Sequence, residues 1–187
     1  SSDWRPVTLQ YATECDLEVE VRRQVMAGGD EGALPPPRKI SGKKTQPLEA
    51  MLNDVVADGG QLLCFVATRR SAVSAATKLG KRIRTQLERD EDSADRRATL
   101  DELANKFQRG EDSSNLADQL AEAIRGGVAF HHAGLTPRQR RLVEDAFRER
   151  TLNCLVATPT LAAGVNLPAR RVLVRDLRRW DGSGSKL

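Results

Sequence analysis

Two periodicities organise this chain. Apolar runs of strand length occur at "QLLCFVA" (61–67), "VAFHH" (128–132), "LNCLVAT" (152–158) and "RRVLVRD" (170–176). Continuous runs, in place of strict alternation, predict strands of a mostly parallel sheet covered on both faces. Between them the apolar positions recur every three or four residues, which predicts helices. "RRSAVSAATKLGKRIRTQLERD" follows the first run, and "LTPRQRRLVEDAFRER" follows the second. The start of the latter is well marked, with Thr136 as N-cap, Pro137 at the first helical position and Gln139 three residues past the cap. Residues 93–124 read as a charged helical stretch with a break, its apolar face carried by Leu116, Leu120, Ala123 and Ile124. "PLEAMLNDVVAD" (47–58) predicts a short helix opened by Pro47 and ended by Gly59 and Gly60. Nearer the start, "RPVTLQYA" and the alternating "LEVEVRRQV" look β-like. The Gly-, Pro- and charge-rich residues 27–46 predict a mobile loop. Strand, helix, strand, helix, strand, strand is the order of an α/β fold with helices on both faces of the sheet.

Composition narrows this picture modestly. The 187 residues are 39% hydrophobic and 30% charged, as expected of a soluble domain with its own core. No apolar run approaches the roughly 20 residues of a membrane helix. The opening Ser-Ser-Asp reads as an internal piece of something longer. Cys15, Cys64 and Cys154 lie far apart without any CxxC spacing, which favours core packing in a reducing, cytoplasmic setting over a metal site. Net charge is +4, but residues 125–179 hold eleven Arg, no Lys and four acids, a local excess of +7. An Arg-rich third suits an anionic partner as well as it suits a merely solvated surface.

Several motif matches fail. "SGKKT" (41–45) lacks the phosphate-loop pattern G-x-x-x-x-G-K-[ST], because position 37 is Pro and position 44 is Lys. His131 and His132 are adjacent, so in a strand they point to opposite faces, and packing is a better role for them than metal binding. The terminal Ser-Lys-Leu matches a peroxisomal address, which an accidental terminus explains equally. A more coherent set lies at three strand ends: Thr68 with Arg69, Gly134, and Thr158 with Thr160. Hydroxyls, guanidinium groups and exposed amides all donate to phosphate oxygens. Three such ends on one sheet point to a groove that tracks a nucleic-acid backbone.

"LLCFVATRRSA", "VAFHHAGLTPRQRRLVEDAF" and "LVATPTLAAGVNLPARRV" resemble, in order and spacing, motifs IV, IVa and V of superfamily-two helicases. The pattern is similar to the archaeal Ski-type DNA repair helicases, relatives of the helicase part of polymerase theta. The resemblance covers nearly the whole chain and implies the second RecA-like lobe of such a motor. It implies a lead-in from the first lobe at 1–26, a flexible loop at 27–46, and the lobe itself at 47–179 with a helical insertion near 85–124. A truncated hairpin or tail would occupy 180–187. Carried over residue by residue, Thr68, Arg69, His132, Gly134, Thr158 and Thr160 would face DNA phosphates, and Gly164 and Asn166 the nucleotide. Trp180 would belong to a strand-separating pin of which only the rising half is expected, with disorder from about Gly182. ATP and Mg²⁺ are implied for the parent, but this chain has no phosphate loop, DExH box or Q-x-x-G-R-x-G-R, so it is not expected to hydrolyse ATP alone. Implied partners are single-stranded and forked DNA and the first lobe, with no membrane. An RNA helicase lobe of the same type and a non-catalytic α/β interaction module remain as alternatives.

Overall fold

The computed structural model describes residues 9–26, 30–108, 114–161, 167–176, 179–180 and 185–186. Internal contacts divide the chain into two units, Ser1–Asp54 and Val55–Leu187.

In the first unit β1 (Leu9–Cys15) pairs antiparallel with β2 (Glu18–Val25). The two residues between them, Asp16 and Leu17, both have positive φ (52° and 67°), the requirement of a two-residue turn whose twist matches the strands. The loop expected to be mobile contributes a third strand instead. β3 (Arg38–Lys39) pairs with β2, setting Val19 opposite Arg38 and Glu18 opposite Lys39. The next residue, Ile40, is buried, and its amide donates to the Leu17 carbonyl at 2.8 Å. One apolar residue in a polar run is thus enough to anchor the segment. Helix α1 (Pro47–Ala57) starts at Pro47 as expected and crosses the division between the units.

The second unit is built on four parallel strands in the order β5-β6-β4-β7, flanked by helices. They are β4 (Leu62–Phe65), β5 (Val128–His131), β6 (Cys154–Ala157) and β7 (Arg171–Val174). β5 and β6 are buried at every position, and β4 at all but its last. Cys64 and Cys154 are free thiols inside this sheet, and burial pushes the Cys64 thiol up to about 12. They are core side chains. β7 departs from the expected run. It lies at the sheet edge and alternates, with Val172 and Val174 about half exposed.

Each observed strand is shorter than its apolar run, and at the carboxyl end the run's last residues already belong to the turn into the next element. The helices are α2 (Arg69–Arg89), α3 (Ala94–Gln108), α4 (Asn115–Ile124) and α5 (Pro137–Arg148). The expected start of α5 is present in full: Thr136 accepts from the Gln139 amide, and the Gln139 side chain accepts from the Thr136 amide. α2 and α4 meet closely at Gly80, where an added β-carbon would stand 2.6 Å from the Ala123 carbonyl oxygen. Gly126 backs onto Gly80 in the same way, so neither position tolerates a side chain without a shift.

The tail also departs from expectation. β8 (Arg179–Trp180) and β9 (Ser185–Lys186) pair antiparallel, Trp180 opposite Ser185 and Arg179 opposite Lys186. The return strand that seemed to be missing is supplied by the last residues of the chain, including a serine and a lysine with no strand-like pattern of their own.

Candidate nucleic-acid interface

Because β4, β5 and β6 run parallel, their carboxyl ends emerge at one edge, where open α/β sheets usually gather ligands. Register keeps them level: Phe65, Ala157 and His131 are paired neighbours. Two backbone bonds extend the ladder past the strands, from Val66 N to Ala157 O (2.9 Å) and from Thr158 N to His131 O (3.1 Å). Helices α2 and α5 begin just beyond, so two helix N-termini, with their partial positive charge, stand at this edge.

Thr68 is the N-cap of α2. Its Oγ1 accepts from the Ser71 amide at 3.0 Å, and its hydroxyl lies 2.9 Å from the Ser71 hydroxyl. The hydroxyl expected to reach phosphate thus also starts the helix, while the residue stays exposed. Arg69 follows in the first turn and is exposed.

His132 is 3% exposed and stacks on Phe130, with ring centroids 5.4 Å apart and planes 8° from parallel. Its Nδ1 accepts from the Gly134 amide at 3.0 Å, which puts the proton of the neutral ring on Nε2. Nε2 is itself buried without a hydrogen-bond partner. Gly134 is exposed and lies against both neighbours: a β-carbon there would come 2.9 Å from His132 Cε1 and 3.9 Å from Arg69 Nη1. Burial lowers the His132 pKa most, and the Arg69 charge lowers it further. His131 takes the opposite face, as alternation requires, and its Nε2 meets Glu144 of α5 at 2.8 Å. Burial outweighs that carboxylate, so its pKa is lowered too. His132 positions backbone, His131 meets Glu144, and both pack; neither presents its ring to an open surface.

Thr158 is only 6% exposed. Its carbonyl accepts from Leu161 N at 3.1 Å, closing a short 3₁₀ turn over Pro159–Leu161. Thr160 lies in that turn, with its side chain outside the described residues. Gly164 and Asn166 lie outside them as well, as does the Trp180 side chain. The structure therefore brings Arg69, His132 and Gly134 together, with the Thr158 turn beginning from the neighbouring strand end.

Sequence reasoning missed Asp176. Its Oδ2 accepts from the Ala67 amide at 3.0 Å, fixing the turn that presents Thr68 and Arg69. The one available signal was its isolation, since it is the sole acid between residues 151 and 180. Gln61 was missed too: it is 4% exposed, and its amide donates at 2.7 Å to both the Phe147 and Leu152 carbonyls, joining the end of α5 to the start of β4.

Residues 103–183 match the family model described as "Helicase conserved C-terminal domain". With the parallel sheet and its aligned strand-end turns, this defines the class: a helicase C-terminal domain of RecA-like α/β architecture. Over nearly its whole length the chain is homologous to the Hel308 helicases. It is 36% identical over 184 residues to "ATP-dependent DNA helicase Hel308" of Methanocella arvoryzae, covering 96% of this chain and 22% of that protein. Proteins of the same description from Caldivirga maquilingensis (38% over 180 residues) and Pyrococcus horikoshii (37% over 183) match 96% and 98% of the chain. The chain spans 22% of the length of each of these three relatives. Among the described residues no helix is long and apolar enough to cross a membrane.

Proposed function

We propose that this chain is the C-terminal motor lobe of an ATP-dependent 3′–5′ DNA helicase, and that its strand-end edge grips the backbone of single-stranded DNA. The observation that carries the reading is the cluster of Arg69, His132 and Gly134 at one edge of the parallel sheet, beside two helix N-termini. Arg69 supplies a charged donor to phosphate oxygens, and Gly134 leaves room for a backbone to approach. His132 acts from beneath by holding the Gly134 amide. Thr68 and Thr158 shape their turns, and the turn carrying Thr160 presents the adjoining phosphate contact. Such contacts are indifferent to base sequence, as a translocating motor requires.

In this reading Gly164 and Asn166 approach the nucleotide, while ATP and Mg²⁺ are held chiefly by a first lobe on the same polypeptide. Hydrolysis supplies the free energy for opening and closing the two lobes. Forked DNA is the substrate and the cytoplasm the setting. The test uses the intact helicase. Arg69→Gln should weaken single-strand binding and reduce the dependence of log affinity on log salt by about one. DNA-stimulated ATPase should fall with it, and the 187-residue chain by itself should show no turnover. Unchanged affinity and salt dependence in Arg69→Gln would remove the strand-end edge from DNA binding.

A further inference from the structure

One face of helix α2 carries a row of cations that changes character along its length. Toward the C-terminal end Arg84 is paired, its Nε with Glu88 at 2.9 Å and its Nη1 with Glu122 of α4 at 3.4 Å. Nearer the N-terminal end Arg70, Ser74, Lys78 and Lys81 recur at spacings of four, four and three, which aligns them in one row. All four are exposed, and the three cations have no ion-pair partner among the described residues. The row lies between two grooves. One, of about 570 Å³, is lined by all four residues and by Thr77 and Gln119. The other, of about 320 Å³, shares Arg70, Ser74 and Lys78 and is bordered by Arg175 at the end of β7. No acidic residue lines either groove. The Thr77 hydroxyl, at the wall of the larger one, is buried without a hydrogen-bond partner.

We infer that this face of α2 is a second binding site for phosphodiester backbone, separate from the strand-end edge. Three arguments select that occupant. Uncompensated cations aligned in a groove attract a linear polyanion. The exposed hydroxyl of Ser74, interleaved with the cations, can donate to phosphate oxygens as the lysines do. The grooves offer no aromatic anchor of the kind that usually dominates the energy of a protein–protein contact. From Arg70 to Lys81 the helix rises about 16 Å, enough to follow several phosphates. The row also begins one residue beyond Arg69, so a nucleic acid leaving the strand-end edge can continue down the helix. The inference rests on reading the chain as a helicase lobe, and it adds a place for a second strand or duplex arm of the same substrate.

The test compares intact helicase with a Lys78→Gln, Lys81→Gln double variant and a Lys78→Arg, Lys81→Arg double variant. Each is titrated with a short labelled single strand, which fills the strand-end edge alone, and with a labelled fork carrying two single-stranded arms. The Gln variant should bind the short strand as the unsubstituted enzyme does. It should bind the fork about tenfold more weakly, with a salt dependence smaller by about two. The Arg variant, which keeps the charge, should match the unsubstituted enzyme on both. Equal fork affinity and equal salt dependence in the Gln variant and the unsubstituted enzyme overturn the inference. So does binding of a labelled polyglutamate peptide that the Gln substitutions abolish while fork binding persists, since the face would then serve an acidic polypeptide. Failure of the unsubstituted enzyme to bind either DNA would instead refute the helicase reading beneath it.

Discussion

Asp176 and Ala67 lie 109 residues apart in sequence, yet the Asp176 carboxylate accepts the Ala67 amide hydrogen at 3.0 Å. The same carboxylate takes two hydrogen bonds from Arg175, at 3.0 and 3.3 Å. The Arg175 bond contributes most to holding the Asp176 pKa below the ordinary carboxylate value. One side chain therefore ties the end of β7 to the turn that presents Arg69. Asp176→Ala should destabilise the chain by about 1–2 kcal/mol, the cost of leaving the Ala67 amide without its acceptor. Asp176→Asn keeps an acceptor oxygen and should recover most of that. Urea unfolding of both variants checks the order. Single-strand affinity of the intact helicase should follow the same order, because Arg69 sits on the loosened turn.

Gly134 and His132 form a coupled pair. A methyl group at Gly134 would meet the imidazole at 2.9 Å, so the ring must move and release the Gly134 amide. Gly134→Ala should cost about 1–3 kcal/mol, typical of overpacking a tight site. His132→Ala removes the obstacle, so the double variant should be less destabilised than the sum of the single ones. A double-mutant cycle by chemical unfolding should give a coupling of about 1 kcal/mol. Strict additivity would show that the ring and the glycine do not share one space.

His131 and His132 are the only histidines in the chain, and burial lowers both pKa values below 6.5. The unfolded chain, with ordinary histidines, binds more protons than the folded one just below that value. Stability should thus be fully present above about pH 7, decline as pH falls through the ordinary histidine value, and level off below the folded values. Unfolding midpoints measured from about pH 7.5 to about pH 5 should show this slope. A His131→Gln, His132→Gln double variant should flatten it in that window.

The elements along the main sheet were legible because each is coded locally. Apolar runs marked β4, β5 and β6, and Thr136, Pro137 and Gln139 marked the start of α5 before any tertiary contact was known. Other features were not legible because a neighbour decides them. Ile40 turns a polar loop into a paired segment through the Leu17 carbonyl. Thr68 and Thr158 carry hydroxyls suited to phosphate, but only their surroundings reveal that one is capping and the other covered. Asp176 had no periodic signal at all, because its partner amide belongs to a distant turn.

Trp180 lies in a two-residue strand paired with Ser185 and Lys186 through the β8–β9 ladder. A tryptophan on a short hairpin suits a pin that parts the duplex by stacking on the last base pair, a contact worth about 1–3 kcal/mol. Trp180→Ala in the intact helicase should slow duplex unwinding while leaving single-strand-stimulated ATPase nearly intact. Parallel loss of both activities would assign Trp180 to packing instead.

The half-exposed valines of β7 have a consequence for handling the isolated chain. Val172 and Val174 sit on an edge strand, where unpaired backbone groups and apolar side chains together form a template for self-association. Arg170, Arg171 and Arg175 bracket that stretch with positive charge, the flanking arrangement by which sequences keep sticky strands from stacking. Their repulsion is screened by salt. Added salt should therefore favour association of the isolated chain at its β7 edge, which light scattering against ionic strength would measure.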